Sequence, residues 1–454
     1  MLLRAQYVLP IEGEPITDGA ILVRDGKIAD IGPAESLLIR YTDVPITHFE
    51  HAALLPGLVD LHTHLEYTAF RGMQHDLPYV EWATASARNA SHMAAADWDV
   101  AAICGGLEAL ATGITCVADV TDTGASLRAA SQLGLRGVFY REVGAMDRQR
   151  IARAMELAEN DILTWLDGQD ADLISVGIAP DHLFRCHPAV FGEVAEFAVR
   201  EDMRVALHLA DSREEYNFVK YGSSGFAIDR EAYRGFVENP PWLPTAASPV
   251  KYALNWGAFD APNVLAIHCV CVDDDDRAIL RKKGVSVAVC ARSNAQLGKG
   301  VAPLRELLRA GLNVGFGTDS PAATDSTDMF MEQRVALLLE RALNGREFLD
   351  SKTVLRLATM GGAKALGLDY LIGSLEVGKR ADIIAVDLIN TMEGASSDPV
   401  ATLVNTCTGS DVLMTMVDGK VRYEKDRWNV DADVARNVAR MIGVRAKLAQ
   451  RMGV

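Results

Sequence analysis

Leu54-Leu-Pro-Gly-Leu-Val-Asp-Leu-His-Thr-His64 is a short apolar run, interrupted by Pro56-Gly57, that ends in two imidazoles one residue apart. Strand side chains alternate between faces with period two, so in a strand His62 and His64 point the same way. Two nitrogen ligands on one face at the end of a buried strand make half of a metal site. A lone His-x-His also arises by chance in loops and core strands, so its weight depends on the rest of the chain.

Downstream of His64, apolar strand-like runs alternate with amphipathic helical stretches. Gly113–Asp119, Gly137–Val143, Leu173–Ala179, Arg204–Ala210, Asn263–Cys269, Gly284–Cys290 and Leu312–Asp319 read as strands, eight in all with the His62 run. Helical periodicity falls between most of them, over 152–166, 188–199 and 301–310 for example. Strand, helix, strand is the order that a parallel sheet requires, and eight such units predict an α/β fold, a (β/α)8 TIM barrel. Residues 1–54 carry short alternating runs punctuated by Asp25-Gly26 and Gly32-Pro33, and residues 372–430 carry a second hairpin-like set. These two stretches predict a small composite β-sandwich domain built from both chain ends, beside a barrel domain over 55–371. A C-terminal helix is expected over 431–454, and the acidic run Asp273–Asp276 reads as the start of a solvated helix.

Composition narrows the partners. The 454 residues are 49% hydrophobic and 23% charged, enough for a large buried core, and the net charge is −16. That charge argues against nucleic acid and anionic membranes, which need clustered Lys and Arg, and favours a small-molecule substrate. The seven cysteines are odd in number and scattered through apolar segments, as reduced thiols are; Cys269 and Cys271 beside His268 read as small buried hydrophobes. The opening Met1–Pro10 stretch is too short for a secretory signal, and no apolar run reaches spanning length, so a cytoplasmic location is expected.

In a barrel of this kind the C-terminal strand ends converge on one site. Four strand ends carry ligand-type groups: His62 with His64, His208, His268 and Asp319. That placement, drawn from only ten histidines, is hard to attribute to chance.

With these residues in place the chain resembles the amidohydrolase superfamily, and within it the aminohydrolases and chlorohydrolases of purines, pterins and triazines. The resemblance runs nearly end to end, through Leu55–His64, Phe70-Arg-Gly, Glu81-Trp82, His208–Asp211 with Glu214-Glu215, His268, Arg292–Gly298, Gly317–Ser320 and Gly373–Asp382. It implies that His62, His64, His208 and Asp319 hold one divalent metal, zinc in the first place with iron or manganese as alternatives. No lysine stands at a strand end to be carbamylated, which favours the one-metal form. The bound ion would lower the pKa of its water from about 15.7 towards ~7. Asp319 would accept a proton from that water, and His268 would orient it. Asp211 stands where the family has a glutamate that shuttles the proton to the leaving amine, and it is one methylene shorter.

The reaction implied is hydrolytic deamination of an amino-substituted heterocycle. Glu66, Trp82, Asp181, His182, Arg292 and Asn294 are the expected substrate contacts. Adenosine-derived compounds rank first, among them aminodeoxyfutalosine, S-adenosylhomocysteine and methylthioadenosine. The Gly134–Val143 and His64–Glu66 stretches are similar to aminodeoxyfutalosine deaminases. Ala179-Pro-Asp-His departs from the Pro-His pattern of the nucleoside deaminases, with Asp181 at the expected histidine. An s-triazine chlorohydrolase or a guanine or pterin deaminase is the alternative, followed by a non-catalytic barrel scaffold. A homo-oligomer is compatible with the family.

Overall fold

The structure, a computed structural model, describes residues 1–226, 243–346, 348–389, 398–425 and 427–452. Strands β1 (Leu2–Val8), β2 (Ile16–Arg24), β3 (Lys27–Pro33) and β4 (Ile46–Pro56) open the chain. Then follow β5 (Leu58–Thr63), β6 (Ile114–Thr121), β7 (Arg136–Val143), β8 (Ile174–Pro180), β9 (Val205–Leu209), β10 (Val264–His268), β11 (Ser286–Val289) and β12 (Val314–Phe316). Each of the last eight falls within or beside a run expected to be a strand.

These eight form one parallel sheet in chain order, from β5 to β12. The sheet closes through a parallel bridge between Thr63 and Asp319. Asp60 ties the same seam: its carboxylate accepts from the Thr318 N–H at 2.9 Å, the Thr318 hydroxyl at 2.5 Å and the His62 N–H at 3.2 Å. Burial pushes this carboxyl up to about 7, against the pull of those bonds. All six residues of β5 are buried, as in a parallel strand covered on both faces. One apolar cluster takes residues two apart from strand after strand, Val59 and Leu61, Cys116 and Ala118, Val138 and Tyr140, Leu265 and Ile267, Ala288 and Cys290. This is the filled interior of the barrel.

The chain ends build the second sheet. Strands β13 (Ile383–Asp387), β14 (Val412–Val417), β15 (Lys420–Glu424) and β16 (Arg427–Trp428) join β1 to β4 in the order β16-β15-β14-β13-β4-β1-β2-β3. The expected sandwich is thus one continuous, mixed, eight-stranded sheet by hydrogen bonding, with β13 pairing antiparallel to β4. Since β4 ends at Pro56 and β5 begins at Leu58, the seam between the chain ends leads directly into the His62 strand.

Helices lie between most barrel strands, including Ile151–Leu166, Ala189–Arg200 and Leu304–Arg309. Asp273 caps the helix Asp274–Lys282 in a reciprocal box with Asp276, which accounts for the acidic run. The last helix spans Val434–Met452; residues 453–454 of the expected one lie outside the described residues. No helix among the described residues is long and apolar enough to cross a membrane.

Candidate metal centre and active site

Strand ends converge as the barrel requires. β5 delivers His62 and, just past its end, His64; β9 delivers His208, β10 delivers His268, and the turn after β12 delivers Asp319. Ring centroids lie 4.7 Å apart for His62 and His64, 4.8 Å for His62 and His208, and 5.7 Å for His62 and His268. The His62 Nε2 is 3.3 Å from the His208 Nε2 and 3.4 Å from the Asp319 Oδ1. Ligand atoms of His62, His64 and Asp319, and likewise those of His62, His208 and His268, fall within 4.8 Å of one another. Nitrogen and carboxylate donors gathered this tightly around one point fit a divalent cation. The donor set therefore suits the metal that the resemblance implies.

Tautomers follow from the partners on the far side of two rings. The His64 Nδ1 lies 2.9 Å from the Val120 carbonyl and the His268 Nδ1 lies 2.9 Å from the Asn294 Oδ1. Each Nδ1–H donates there, which leaves the Nε2 lone pair of His64 for the centre, while that of His268 accepts from the Lys299 Nζ at 3.3 Å. Burial, followed by the neighbouring imidazole of His62, lowers His64 to about 3. Burial likewise holds His208 and His268 well below the ordinary histidine value. These rings are neutral near pH 7, the form that can ligate. Burial alone would raise the Asp319 carboxyl, but the His62 hydrogen bond and the charges of His62 and Lys299 outweigh it and hold it well below the carboxylate range. His268 and Asp319 both sit in the left-handed backbone region, with φ of 75° and 60°. Such residues cost on the order of 1–3 kcal/mol each and collect at functional sites.

Behind His208 stands a second layer of acids. Asp211 is fully buried: its Oδ1 accepts from the Ser212 hydroxyl at 2.7 Å, and its Oδ2 accepts from the Tyr79 hydroxyl. The Lys299 Nζ is 3.7 Å from that Oδ2, 3.3 Å from the His268 Nε2 and 4.2 Å from the centroid of the Tyr79 ring. Burial would raise Asp211, yet Lys299, His268 and His182 bring it below the ordinary value. Glu215 accepts the Ala210 N–H at 2.7 Å and goes the other way, raised by burial and by Asp211. Of this pair, Asp211 is held toward the carboxylate form and Glu215 is pushed toward the protonated one. Lys299 and Tyr79 gave no sequence signal of their own. Lys299 is a single basic residue between Gly298 and Gly300, and Tyr79 opens a helix, Tyr79–Ala90, that is not part of the barrel alternation.

A cavity of about 280 Å³ opens over the cluster. His64, His208, His268 and Asp319 form its floor; Tyr67, Tyr79, Trp82 and Phe184 supply aromatic walls; Glu66, Asp122, Glu142, Arg185 and Lys299 add charge. A larger surface depression, lined by Leu9, Pro10, Glu14, Arg341 and Lys352, holds none of the clustered imidazoles.

The expected substrate contacts divide. Trp82 and His182 line the cavity, His182 stacked 4.0 Å from His208. Glu66 also reaches it, with its carboxylate already accepting from the Thr121 and Thr123 hydroxyls and the Asp122 N–H. Asp181 is turned to its own neighbours, pairing with the His182 Nδ1 at 3.0 Å and the Arg185 Nε at 3.5 Å. Arg292 is placed differently from the expectation: its guanidinium donates to the Thr324 carbonyl at 2.6 Å and the Ser326 carbonyl at 3.2 Å, bracing that loop outside the cavity lining. Asn294 faces His268 rather than the cavity. Asp211 does not line the cavity either.

The Amidohydrolase family model matches residues 53–422. The 5-methylthioadenosine/S-adenosylhomocysteine deaminase of Desulforudis audaxviator is 32% identical over 428 residues, 93% of each chain. The protein of the same name from Moorella thermoacetica is 32% identical over 427 residues, again 93% of each. Among solved structures, a zinc-bound adenosine deaminase from Xanthomonas campestris superposes with a TM-score of 0.84 at 28% identity, covering 99% of this chain and 98% of its own. A zinc-bound atrazine chlorohydrolase from Arthrobacter aurescens shares the fold at a TM-score of 0.82 and 24% identity, covering 98% of this chain and 99% of its own. With a family match over most of its length, and with the barrel and second sheet of that fold, the chain belongs to the amidohydrolase family.

Proposed function

We propose that this chain is a metal-dependent hydrolytic deaminase that releases ammonia from an amino-substituted heterocycle, with adenosine-derived compounds first. The observation that carries the reading is the gathering of the His62, His64, His208 and His268 imidazoles with the Asp319 carboxylate, all but His62 lining an aromatic-walled cavity. The deaminase names of relatives about one-third identical over nearly the whole chain support it.

In this reading His62, His64, His208 and Asp319 hold the ion, with zinc favoured by the donor set. When bound, a divalent ion supplies a water acidic enough to attack near neutral pH and polarises the reacting centre. Asp319, held as a carboxylate, takes the proton of the attacking water. His268, kept in one tautomer by Asn294, fixes the direction of attack. The cavity is near the lower end of ligand-site volumes, about 300–1,000 Å³, which suits one heterocycle and no polymer. Trp82, Tyr67 and Phe184 give a planar ring its faces. Residues 55–371 carry the chemistry, and the unit of residues 1–54 and 372–430 braces them.

Ammonia release tests the reading directly. The zinc-loaded protein is assayed with adenosine, methylthioadenosine, S-adenosylhomocysteine, aminodeoxyfutalosine, guanine, a pterin and a chlorotriazine. Turnover is expected on an adenine nucleoside; silence on every amine sinks the proposal, and chloride release alone would replace it.

A further inference from the structure

Asp211 occupies the sequence position from which a longer acid would meet the substrate, yet its side chain is fully buried and forms no part of the cavity surface. Its two oxygens are taken, Oδ1 by the Ser212 hydroxyl and Oδ2 by the Tyr79 hydroxyl. What stands between Asp211 and the cavity is Lys299. The lysine Nζ lies 3.7 Å from Asp211, 3.3 Å from the His268 Nε2 and over the Tyr79 ring, and Lys299 does line the cavity. An ammonium offers three donors and no acceptor. His268 accepts one of them, Asp211 faces the ammonium as an ion-pair partner at 3.7 Å, and the remaining donors are available to the cavity.

Resting on the deaminase reading, we infer that Lys299 is the group through which Asp211 acts on the substrate. Its ammonium donates a hydrogen bond to the electron-rich ring atom beside the scissile carbon–nitrogen bond, and Asp211, Tyr79 and His268 hold it there. The substrate class follows: the compound must present a lone-pair acceptor, such as an imine-type ring nitrogen, next to the carbon attacked. The missing methylene of Asp211 is thereby explained, because the lysine fills the space that a longer acid would enter.

The test uses the metal-loaded chain and the amine that wild type turns over fastest. Lys299→Met and Lys299→Ser are expected to lower kcat by about a hundredfold, the size of one lost transition-state donor, with KM changed by less than about threefold and metal content unchanged. Asp211→Glu placed in the Lys299→Ser background is expected to recover about tenfold, since the glutamate then reaches the cavity. A purely structural lysine would not give that rescue. The inference is overturned if Lys299→Met keeps kcat and KM within about threefold of wild type, or if the double variant, folded and metal-loaded, is no better than Lys299→Ser. Should the single variants fail to fold, a crystal structure of wild type with the hydroxylated product decides. Nζ within about 3.2 Å of a ring nitrogen or oxygen supports the inference, and direct contact of Asp211 with that atom instead overturns it. A wild type silent on every amine removes the deaminase reading and this inference together; an active wild type with an unaffected Lys299→Met variant removes this inference alone.

Discussion

A Cβ at Gly317 would lie 2.7 Å from the His62 Cβ and 2.8 Å from the His62 nitrogen, closer than real Cβ atoms come. The glycine is required because β5 and the turn after β12 must approach closely for His62 and Asp319 to share a site. Gly317→Ala should therefore lower metal content below that of wild type at equal total zinc, measured by plasma mass spectrometry; full occupancy would refute this use of the glycine. Glu332 tests the electrostatics of the same region. Burial pushes its carboxyl up to about 8 from an ordinary 4.5, against the charge of Arg292. A raised folded value means that the contribution to stability is complete below the unfolded value and is lost as pH rises through the folded one. Between about pH 5 and pH 8 wild type should lose about 1.4 kcal/mol per pH unit relative to Glu332→Gln, then run parallel to it. Thermal unfolding of both proteins across that range measures the slope, and a constant difference would contradict it.

At the scale of elements, the strands were legible because parallel strands buried on both faces are continuous apolar runs, and because ligand-type residues mark their ends. The side-chain network was less so. Lys299 comes from the loop beyond the helix Ala291–Gln296, and its partners Tyr79 and Asp211 lie on other elements, so no local spacing announces the trio. Arg292 misled for the same reason: the sequence places it after a strand end, and only the Thr324–Asp328 loop explains where its guanidinium goes. A buried ion pair joins the two sheets. Arg136, at the start of β7, donates to both oxygens of Asp382 at 2.8 and 3.0 Å, beside β13, with both side chains buried. Removing one member leaves the other charge buried and unpaired, which costs about 3–5 kcal/mol. Arg136→Met should lower the unfolding free energy by that order, measured in urea, and a loss under about 1 kcal/mol would show that the pair is dispensable.

For the molecule as a whole, the composite sheet and the barrel make one frame: the chain passes from β4 of the first directly into β5 of the second, and β5 carries His62 and leads into His64, the proposed metal pair. The fold, and the convergence of the ligand-type side chains, could both be read from the sequence, since they depend on periodicity and on residue types at strand ends. The cavity walls could be read only in part: Glu66, Trp82 and His182 were expected there, whereas Tyr67, Phe184 and Arg185 meet outside the barrel strands, where only the folded chain defines the path. The measurement that bears most directly on the account is a zinc titration of the chelator-stripped protein, following ammonia release from an adenine nucleoside. The account predicts no turnover without metal, a rise to a plateau at about one ion per chain, and loss of both binding and turnover in Asp319→Asn. Full activity in the stripped protein, or zinc binding and ammonia release untouched by Asp319→Asn, would contradict it.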